Sequence, residues 1–176
     1  VSVVTDEIDS FVETGIRLQS GAELDADIII TATGLDLLVL GGVQFVVDGT
    51  PVDFSKTYTY KGIMSSGVPN MMSTFGYINA SWTLRADLTA EYFCRVVNYM
   101  DAGGYRQFVP RLRAEDRDMK AQPWITEFSP GYMRRGLDQL PKQGDHEPWI
   151  NPQDYQRDKK MFRKGDIDDG ELVFRK

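Results

Sequence analysis

Hydrophobic residues in the first half of the chain occur in short runs separated by turn residues, the pattern of β-strands joined by tight turns. The run from Asp27 to Gly34 contains three successive isoleucines before it ends in small residues. Because it lacks polar alternation, it predicts a strand buried on both faces, as in a parallel sheet. A second buried strand is predicted from Met71 to Phe75, ending at Gly76. Shorter strands are predicted at residues 1–4, 8–13, 16–19, 43–47 and 58–60.

A long helix is predicted after these strands. Apolar residues recur at helical spacing from about Asn79 to Met100, and Asn79 or Ser81 is in position to cap the first turn. The sequence Asp101-Ala102-Gly103-Gly104 ends the helix, because glycine readily adopts the left-handed conformation of a helix terminus. The last third of the chain predicts helices at residues 130–137 and 152–164 and an edge strand at residues 171–174.

Charge divides the chain into two unlike parts. Residues 1–110 carry 6 basic and 13 acidic side chains, whereas residues 111–176 carry 14 and 13 and contain five prolines between positions 123 and 152. We therefore predict a compact part at 1–110 and a charged, Pro-rich C-terminal tail at 111–176 that packs on it. The net charge of -6 lacks the clustered positive charge of nucleic-acid binders, so no nucleic-acid partner is expected.

Composition also limits the chemistry. The chain has one cysteine, Cys94, and one histidine, His146, so a disulfide, a thiolate metal cage and a Ser-His-Asp triad are not expected. Uninterrupted apolar runs, such as the one at residues 28–30, are far too short to cross a membrane, and a cytoplasmic protein is expected. Cys94 is predicted to be buried in the long helix, with a nucleophile as the alternative. His146 is predicted to lie in an exposed loop, with a general base as the alternative.

Three other groups of residues each allow two interpretations. The acidic residues near the C-terminus are predicted to form a solvated turn, because they lack the order of a calcium-binding loop. The tryptophans belong to the core or line an apolar pocket. The basic residues of the last helix form an exposed face or contact a phosphate or another subunit. These groups are Asp166, Asp168, Asp169 and Glu171; Trp82, Trp124 and Trp149; and Arg157, Lys159, Lys160, Arg163 and Lys164.

The ends of the two buried strands, Ala32-Thr33-Gly34 and Phe75-Gly76-Tyr77, are where a ligand is expected. Ligands of α/β sheets lie beyond the carboxyl ends of strands, and small residues let them approach the backbone. The following helix start would direct N–H groups and its positive end toward an anion. An ordinary strand-to-helix turn has the same sequence, so both interpretations stay open. No G-x-G-x-x-G motif follows a predicted strand, so the chain has no dinucleotide-binding fingerprint of its own.

Several stretches resemble class B flavoprotein monooxygenases. Residues 5–16 and the run from Asp25 to Leu35, with its Ala-Thr-Gly ending, resemble the C-terminal part of those enzymes. The stretch PNMMSTFGYINASWTLRADL at residues 69–88 is more specific and resembles the Baeyer–Villiger subgroup that includes ethionamide-activating monooxygenases. The tail motifs FSPGY (128–132), LPKQG (140–144) and PW (148–149) are typical of the same subgroup, so the resemblance covers essentially the whole chain.

The resemblance implies an α/β fold, the C-terminal part of a flavoprotein with two dinucleotide-binding domains. This part would comprise a partial FAD-domain sheet, a long helix and an extended helical tail, with residues 1–110 belonging to the FAD/NAD(P)-binding region. The implied parent enzyme uses FAD and NADPH. In it, O2 adds to the reduced flavin to give a C4a-peroxyflavin, which inserts oxygen into apolar ketones or oxygenates thio-compounds. The cofactor carries this chemistry, and the protein binds and orients.

The resemblance also assigns roles to residues. Thr33 and Gly34 would contact FAD at the end of the Ala-Thr-Gly strand. Tyr77 and Trp82 would line the substrate pocket above the flavin, with Phe128 and Trp124 as further candidates. No residue is assigned a catalytic role, and no metal site is expected. The remaining cofactor-binding residues would lie at the turn and the start of the long helix: Gly76, Asn79, Ala80 and Ser81.

The motifs that such an enzyme needs for FAD, NADPH and oxygen chemistry would all precede Val1. We therefore expect this chain to be a C-terminal segment that is inactive alone. The alternative is a non-catalytic remnant that acts as a binding or dimerisation module, possessing exposed apolar surface and forming a homo-oligomer. A third interpretation, a flavin or disulfide reductase relative, has no support from the lone Cys94 and His146.

Overall fold

The computed structural model of the chain describes residues 1–126 and 130–176 and divides into two compact units, Val1–Leu35 and Asp36–Lys176. In chain order, the elements are β1 (Ile8–Val12), β2 (Gly15–Leu18), β3 (Glu23–Asp25), β4 (Val46–Val47), β5 (Thr50–Pro51), β6 (Thr59–Tyr60), β7 (Met64–Ser65), α1 (Trp82–Gly103), β8 (Gln107–Pro110), β9 (Gln122–Pro123), α2 (Gly131–Gly136), β10 (Lys142–Gln143), α3 (Tyr155–Lys164) and β11 (Leu172–Arg175). This mixture of helices and small sheets confirms the α/β class in its broad sense. Its assignment to a dinucleotide-binding domain, and the division at residue 110, stay predictions.

The first unit is a three-stranded antiparallel meander, β1-β2-β3. The strands predicted at 8–13 and 16–19 are confirmed. Gly15 begins β2 because a side chain there would overlap the backbone carbonyl of Leu24 on the neighbouring strand. The strand predicted at residues 1–4 is wrong, since these residues are exposed and have no regular structure.

The buried strand predicted from Asp27 to Gly34 is also wrong for this structure. The segment has no regular secondary structure, and Ile28 and Ile30 are 81% and 86% exposed. A strand needs neighbouring strands to satisfy its N–H and C=O groups, and a parallel one also needs layers on both faces. No strand among the described residues pairs with it.

The second unit is built around α1. Ser81 precedes the helix as its N-cap residue, and Gly104 ends it in the left-handed conformation at φ 65°, so the prediction is confirmed at both ends. The buried face carries Leu88, Tyr92 and Val96, which recur every three or four residues and pack in the main core with Phe162 of α3. Cys94 is on the solvent side of this pattern and is exposed, so its predicted burial was wrong.

The last third of the chain packs against α1. Strand β11 pairs antiparallel with β8, and α3 lies along α1. The two tail helices and the terminal strand are therefore confirmed as α2, α3 and β11. Trp149 is fully buried in the same core, which decides its role in favour of packing.

Two buried polar groups fasten the tail to the rest of the second unit. The Lys61 ammonium donates to Asp169 at 2.8 Å and to the hydroxyl of Tyr60 at 2.7 Å, and Tyr60 in turn donates to Asp169. Burial raises the pKa of Tyr60 far above its ordinary value, so its hydroxyl stays protonated. In the second group, Arg85 of α1 forms an ion pair with Asp158 of α3, and both side chains are completely buried. Asp169 and the buried Glu171 therefore do not belong to a solvated turn.

The segment from Met71 to Phe75 has no regular secondary structure, so the strand predicted there is wrong. It is held by single backbone bonds rather than a ladder: Ser73 N–H donates to the carbonyl of Ile63 at 2.8 Å, and Asn70 N–H donates to that of Phe108 at 2.9 Å. Phe75 packs with Trp124, Ile125 and Met133 in a second, smaller core.

Candidate functional site

The turn from Phe75 to Trp82 brings an aromatic cluster to the start of α1. Gly76 is buried, and a side chain there would overlap the indole ring of Trp82, so only glycine lets the ring lie against the backbone. Trp82 itself is 55% exposed. The absence of a side chain at Gly76 therefore allows the Trp82 ring to occupy its observed position.

The beginning of α1 is accessible and carries no competing negative charge. Asn79, Ala80 and Ser81 are all exposed, and the first turn of the helix contains no acidic residue. The Ser81 hydroxyl bonds to the Thr83 hydroxyl at 2.8 Å instead of capping a backbone N–H group. The N–H of Leu84 donates to the Ser81 carbonyl at 3.2 Å. No side chain caps the remaining first N–H groups of this 22-residue helix, a favourable arrangement for negative charge.

An aromatic path leads from this surface into the second unit. The ring centroid of Phe75 lies 4.8 Å from that of Trp82 and 4.7 Å from that of Trp124. Trp124 is only 8% exposed, so the path runs from solvent to the interior.

Trp124 borders an apolar cavity of ≈ 150 Å³, which we call the Trp124 cavity. Phe75 forms another part of its lining, together with residues 37–40, Met133 and Leu140. Trp124, for which both a core and a pocket-lining role were open, thus lines a cavity, and the apolar run Leu37-Leu38-Val39-Leu40 is a second sequence signal for it. Its contact with Trp124 joins residues more than eighty positions apart, which no local pattern reports.

Tyr77 lies in the interior next to the buried ion pair. Its hydroxyl donates to Asp158 at 2.8 Å, and its ring packs edge-on against Tyr155. Burial, with the Asp158 hydrogen bond, raises the pKa of Tyr77 above its ordinary value. Tyr77 is 1% exposed, in contrast to its predicted neighbour in the pocket, Trp82.

Thr33 and Gly34 lie in the first unit, where both are exposed and have no regular secondary structure, and Gly34 has a positive φ of 84°. Gly76 to Trp82 lie in the second unit. The structure therefore brings together the residues of the turn and the helix start. The Ala-Thr-Gly segment belongs to the other unit. Phe128 lies outside the described residues.

His146 lies between two carboxylates rather than beside a nucleophile. Nδ1 is 2.7 Å from Asp145, and Nε2 is 3.1 Å from the buried Asp116. These hydrogen bonds, that of Asp145 first, raise the pKa of His146. Within residues 1–126 and 130–176, no three His, Cys, Asp or Glu side chains are grouped to hold a metal ion. In the same residues, no helix is both long and apolar enough to span a bilayer.

The cluster offers binding rather than bond-making chemistry. Its aromatic rings and apolar cavity suit an apolar molecule, and its outward N–H groups suit a group that carries negative charge. Its residues can hold and orient two partners side by side.

Comparison with known proteins gives relatives along the whole chain. The chain is 53% identical over all 176 residues to the FAD-containing monooxygenase EthA of Mycobacterium tuberculosis, of which it covers 35%. It is 45% identical over 175 residues to AlmA of Acinetobacter baylyi, a protein named as an FAD-binding monooxygenase, and again covers 35%. It is 42% identical over 173 residues to MymA of Mycobacterium tuberculosis, named as an FAD-containing monooxygenase, and covers 34%.

The chain thus spans about a third of the length of the curated relatives that it matches. No protein-family model and no solved structure matches it significantly.

Proposed function

We propose that the chain is the C-terminal segment of a flavin-dependent monooxygenase. The premise is that its full length matches about a third of the length of each FAD-containing or FAD-binding monooxygenase compared above. The observation that carries the proposal is the 53% identity over all 176 residues, which includes the turn and helix start of the candidate site. A relationship this close extends to the fold and to the general role of the segment. The activity belongs to the longer protein, because this chain contains no motif for binding the pyrophosphate of FAD.

The finer proposal concerns the reaction. We propose that the longer protein takes electrons from NADPH and inserts one oxygen atom of O2 into an apolar ketone, or oxygenates a thio-compound. The apolar lining of the Trp124 cavity supports an apolar substrate. A cytoplasmic location is part of the same proposal.

The start of α1 is the part of this chain that fits FAD. Its outward N–H groups and lack of acidic residues suit a flavin ring, which supplies the oxygen-transfer chemistry when bound and carries negative charge when reduced. The exposed Asn79, Ala80 and Ser81 would contact the ring there, and the buried Gly76 would act by holding Trp82 in place beside it. Thr33 and Gly34 would contact FAD in the longer protein, as the resemblance implies.

Trp82 and Tyr77 would act on the substrate side in different ways. Trp82 is exposed and offers its ring as a surface on which an apolar molecule can lie. Tyr77 is buried, so its contribution is to hold the turn through Asp158. Tyr77 would therefore shape the pocket indirectly, by fixing the turn rather than by touching the substrate.

The test is an absorbance spectrum and an NADPH oxidation assay on the longer protein and on the 176-residue chain. The longer protein is expected to retain flavin absorbance near ~450 nm and to consume NADPH faster when an apolar ketone is added. The isolated chain, incubated with FAD and gel-filtered, is expected to be colourless. A longer protein that binds no flavin would contradict the proposal.

Two variants of the longer protein separate the roles at the turn. Gly76→Val is expected to abolish flavin retention, because its side chain would expel the Trp82 ring toward the space in front of α1. Trp82→Ala should alter the relative rates on different ketones more than it alters flavin content. Normal flavin content in Gly76→Val, or lost flavin with an unchanged ketone profile in Trp82→Ala, would reverse these assignments.

A further inference from the structure

The Trp124 cavity has a definite capacity. Its volume is ≈ 150 Å³, and its lining includes the aliphatic side chains of Leu37, Met133 and Leu140. An apolar cavity of about 150 Å³ lined by similar side chains stays dry in another protein and binds one benzene molecule. The space behind Phe75 is therefore of the size and polarity that accommodate one six-membered apolar ring.

Phe75 closes this cavity on the side of α1. The Phe75 ring belongs to the cavity lining, whereas Trp82, 4.8 Å away between ring centroids, does not. One side of Phe75 thus faces the buried Trp124 and another faces the exposed Trp82. Removing the Phe75 ring would join the cavity to the surface at the start of the helix.

The position of Phe75 is well determined by its neighbours. Gly76 follows it and lets Trp82 approach the backbone, so Trp82 supports the Phe75 ring from outside. The backbone bond of Ser73 to Ile63 anchors the segment two residues earlier. A ring held on several sides sets a firm limit to a cavity, since a packed interior does not yield readily to added volume.

We propose that the Trp124 cavity is a binding site for a benzene-sized apolar group, and that Phe75 is the specificity-determining residue that limits the site toward Trp82. That this group is the apolar end of a monooxygenase substrate rests on the proposed function. The binding itself rests on the volume, the lining and the position of Phe75.

The experiment titrates benzene and naphthalene into the ¹⁵N-labelled 176-residue chain and follows its backbone amide resonances. In the wild type, benzene is expected to shift amides of the lining, such as those of Thr74 and Leu140, while naphthalene is expected to bind more weakly because the Phe75 ring leaves less room for a second ring. Phe75→Ala should gain affinity for naphthalene by about tenfold or more, the scale of a changed fit in an apolar pocket. Phe93→Ala, which removes an exposed ring of α1 outside the cavity, is the matched control and should leave both affinities unchanged.

Two results would overturn the proposal: benzene shifts that are scattered away from the lining, or equal naphthalene affinity in Phe75→Ala and Phe93→Ala. If Phe75→Ala loses the helical circular dichroism of the wild type, Phe75→Leu replaces it and must show the same direction of change. The titration needs no flavin. Failure to bind benzene would therefore refute the site, while a longer protein that binds flavin and oxidises NADPH would still support the proposed function. Conversely, benzene binding in the cavity together with a longer protein that binds no flavin would support the site and refute the proposed function.

Discussion

At the scale of single residues, His146 joins two parts of the second unit. Its ring bridges Asp145, its neighbour in the loop, and Asp116 in the helical turn at residues 114–118. The N–H of Arg113 also donates to Asp116 at 2.7 Å. Although burial opposes it, this bond and that of His146 hold the pKa of Asp116 below its ordinary value. His146, predicted as an ordinary loop residue, thus links two carboxylates, an arrangement that we call the His146 clasp.

The clasp predicts a pH dependence of stability. Because the pKa of His146 is raised from about 6.5, folding favours its protonated form. The contribution is therefore complete below pH 6.5 and is lost as the pH rises through the higher pKa of the folded state. The difference in urea midpoint between the wild type and His146→Gln should shrink from about pH 5 to about pH 9.

Asp116→Asn provides the control for this clasp. It removes one carboxylate partner, so the pH-dependent difference should become smaller in that background. A difference between wild type and His146→Gln that is constant over the whole range would contradict the clasp.

The structure gives a steric reason for the glycine at position 76. A small residue at a strand-to-helix turn suggests close approach by any partner, and the resemblance suggests the flavin. The structure identifies a partner within the chain, the indole of Trp82. Contact with Trp82 therefore requires glycine at position 76 even when no cofactor is bound.

At the scale of elements, two ion pairs connect α1 and α3. Arg85–Asp158 is completely buried, whereas Glu91–Arg163 is exposed, with side-chain exposures of 44% and 40%. Burial raises the pKa of Asp158, and Arg85 and the Tyr77 hydroxyl partly offset this cost. The buried pair leaves little tolerance for loss of one partner, since the other charge would remain without compensation.

The two pairs therefore predict different costs for the same type of substitution. Asp158→Ala is expected to lower the free energy of unfolding by about 3–5 kcal/mol, because it leaves Arg85 charged and buried. Glu91→Ala removes an exposed partner between the same helices and should cost about 0–1 kcal/mol. Urea unfolding of both variants measures the difference, and equal losses would show that burial of the Arg85–Asp158 pair has no special weight.

Two elements illustrate what a local pattern conveys. Helix α1 agrees with the prediction because its cap, its periodicity and its terminal glycines all lie within its own residues. Apolar residues of this helix lie on both sides of it, since Leu88 and Tyr92 are buried while Trp82 and Phe93 are exposed. Periodicity indicates a helix, but the neighbouring elements decide which side is covered.

At the scale of the whole molecule, exposed apolar side chains form a face on α1. Trp82, Ala86, Ala90 and Phe93 recur every three or four residues, so they lie on one side of the helix, and all are exposed. Trp82 and Phe93 are 55% and 45% exposed, which is unusual for large aromatic residues in a folded unit. This face supports the interpretation of the isolated chain as a binding or dimerisation module.

The exposed face predicts self-association of the isolated chain. Phe93→Glu should weaken the association constant measured by sedimentation equilibrium about tenfold or more, because it places a charge in an apolar contact. Asn98→Glu, which adds the same charge at another exposed position of α1, should have little effect. A wild-type chain that remains monomeric, or equal effects of both substitutions, would contradict the association through this face.

The sequence by itself determined the features that depend on near neighbours along the chain. These are α1 with Ser81 and Gly104 at its ends, the tail helices, the β1–β2 hairpin and the relationship to FAD-containing monooxygenases. Tertiary structure alone decided the Trp82–Phe75–Trp124 contacts, the cavity beside them and the clasp at His146. It also decided that the apolar run at 27–34 is an exposed segment rather than a buried strand. The physical reason is that capping and turn formation involve residues a few positions apart, whereas burial and cavity shape require partners from distant parts of the chain.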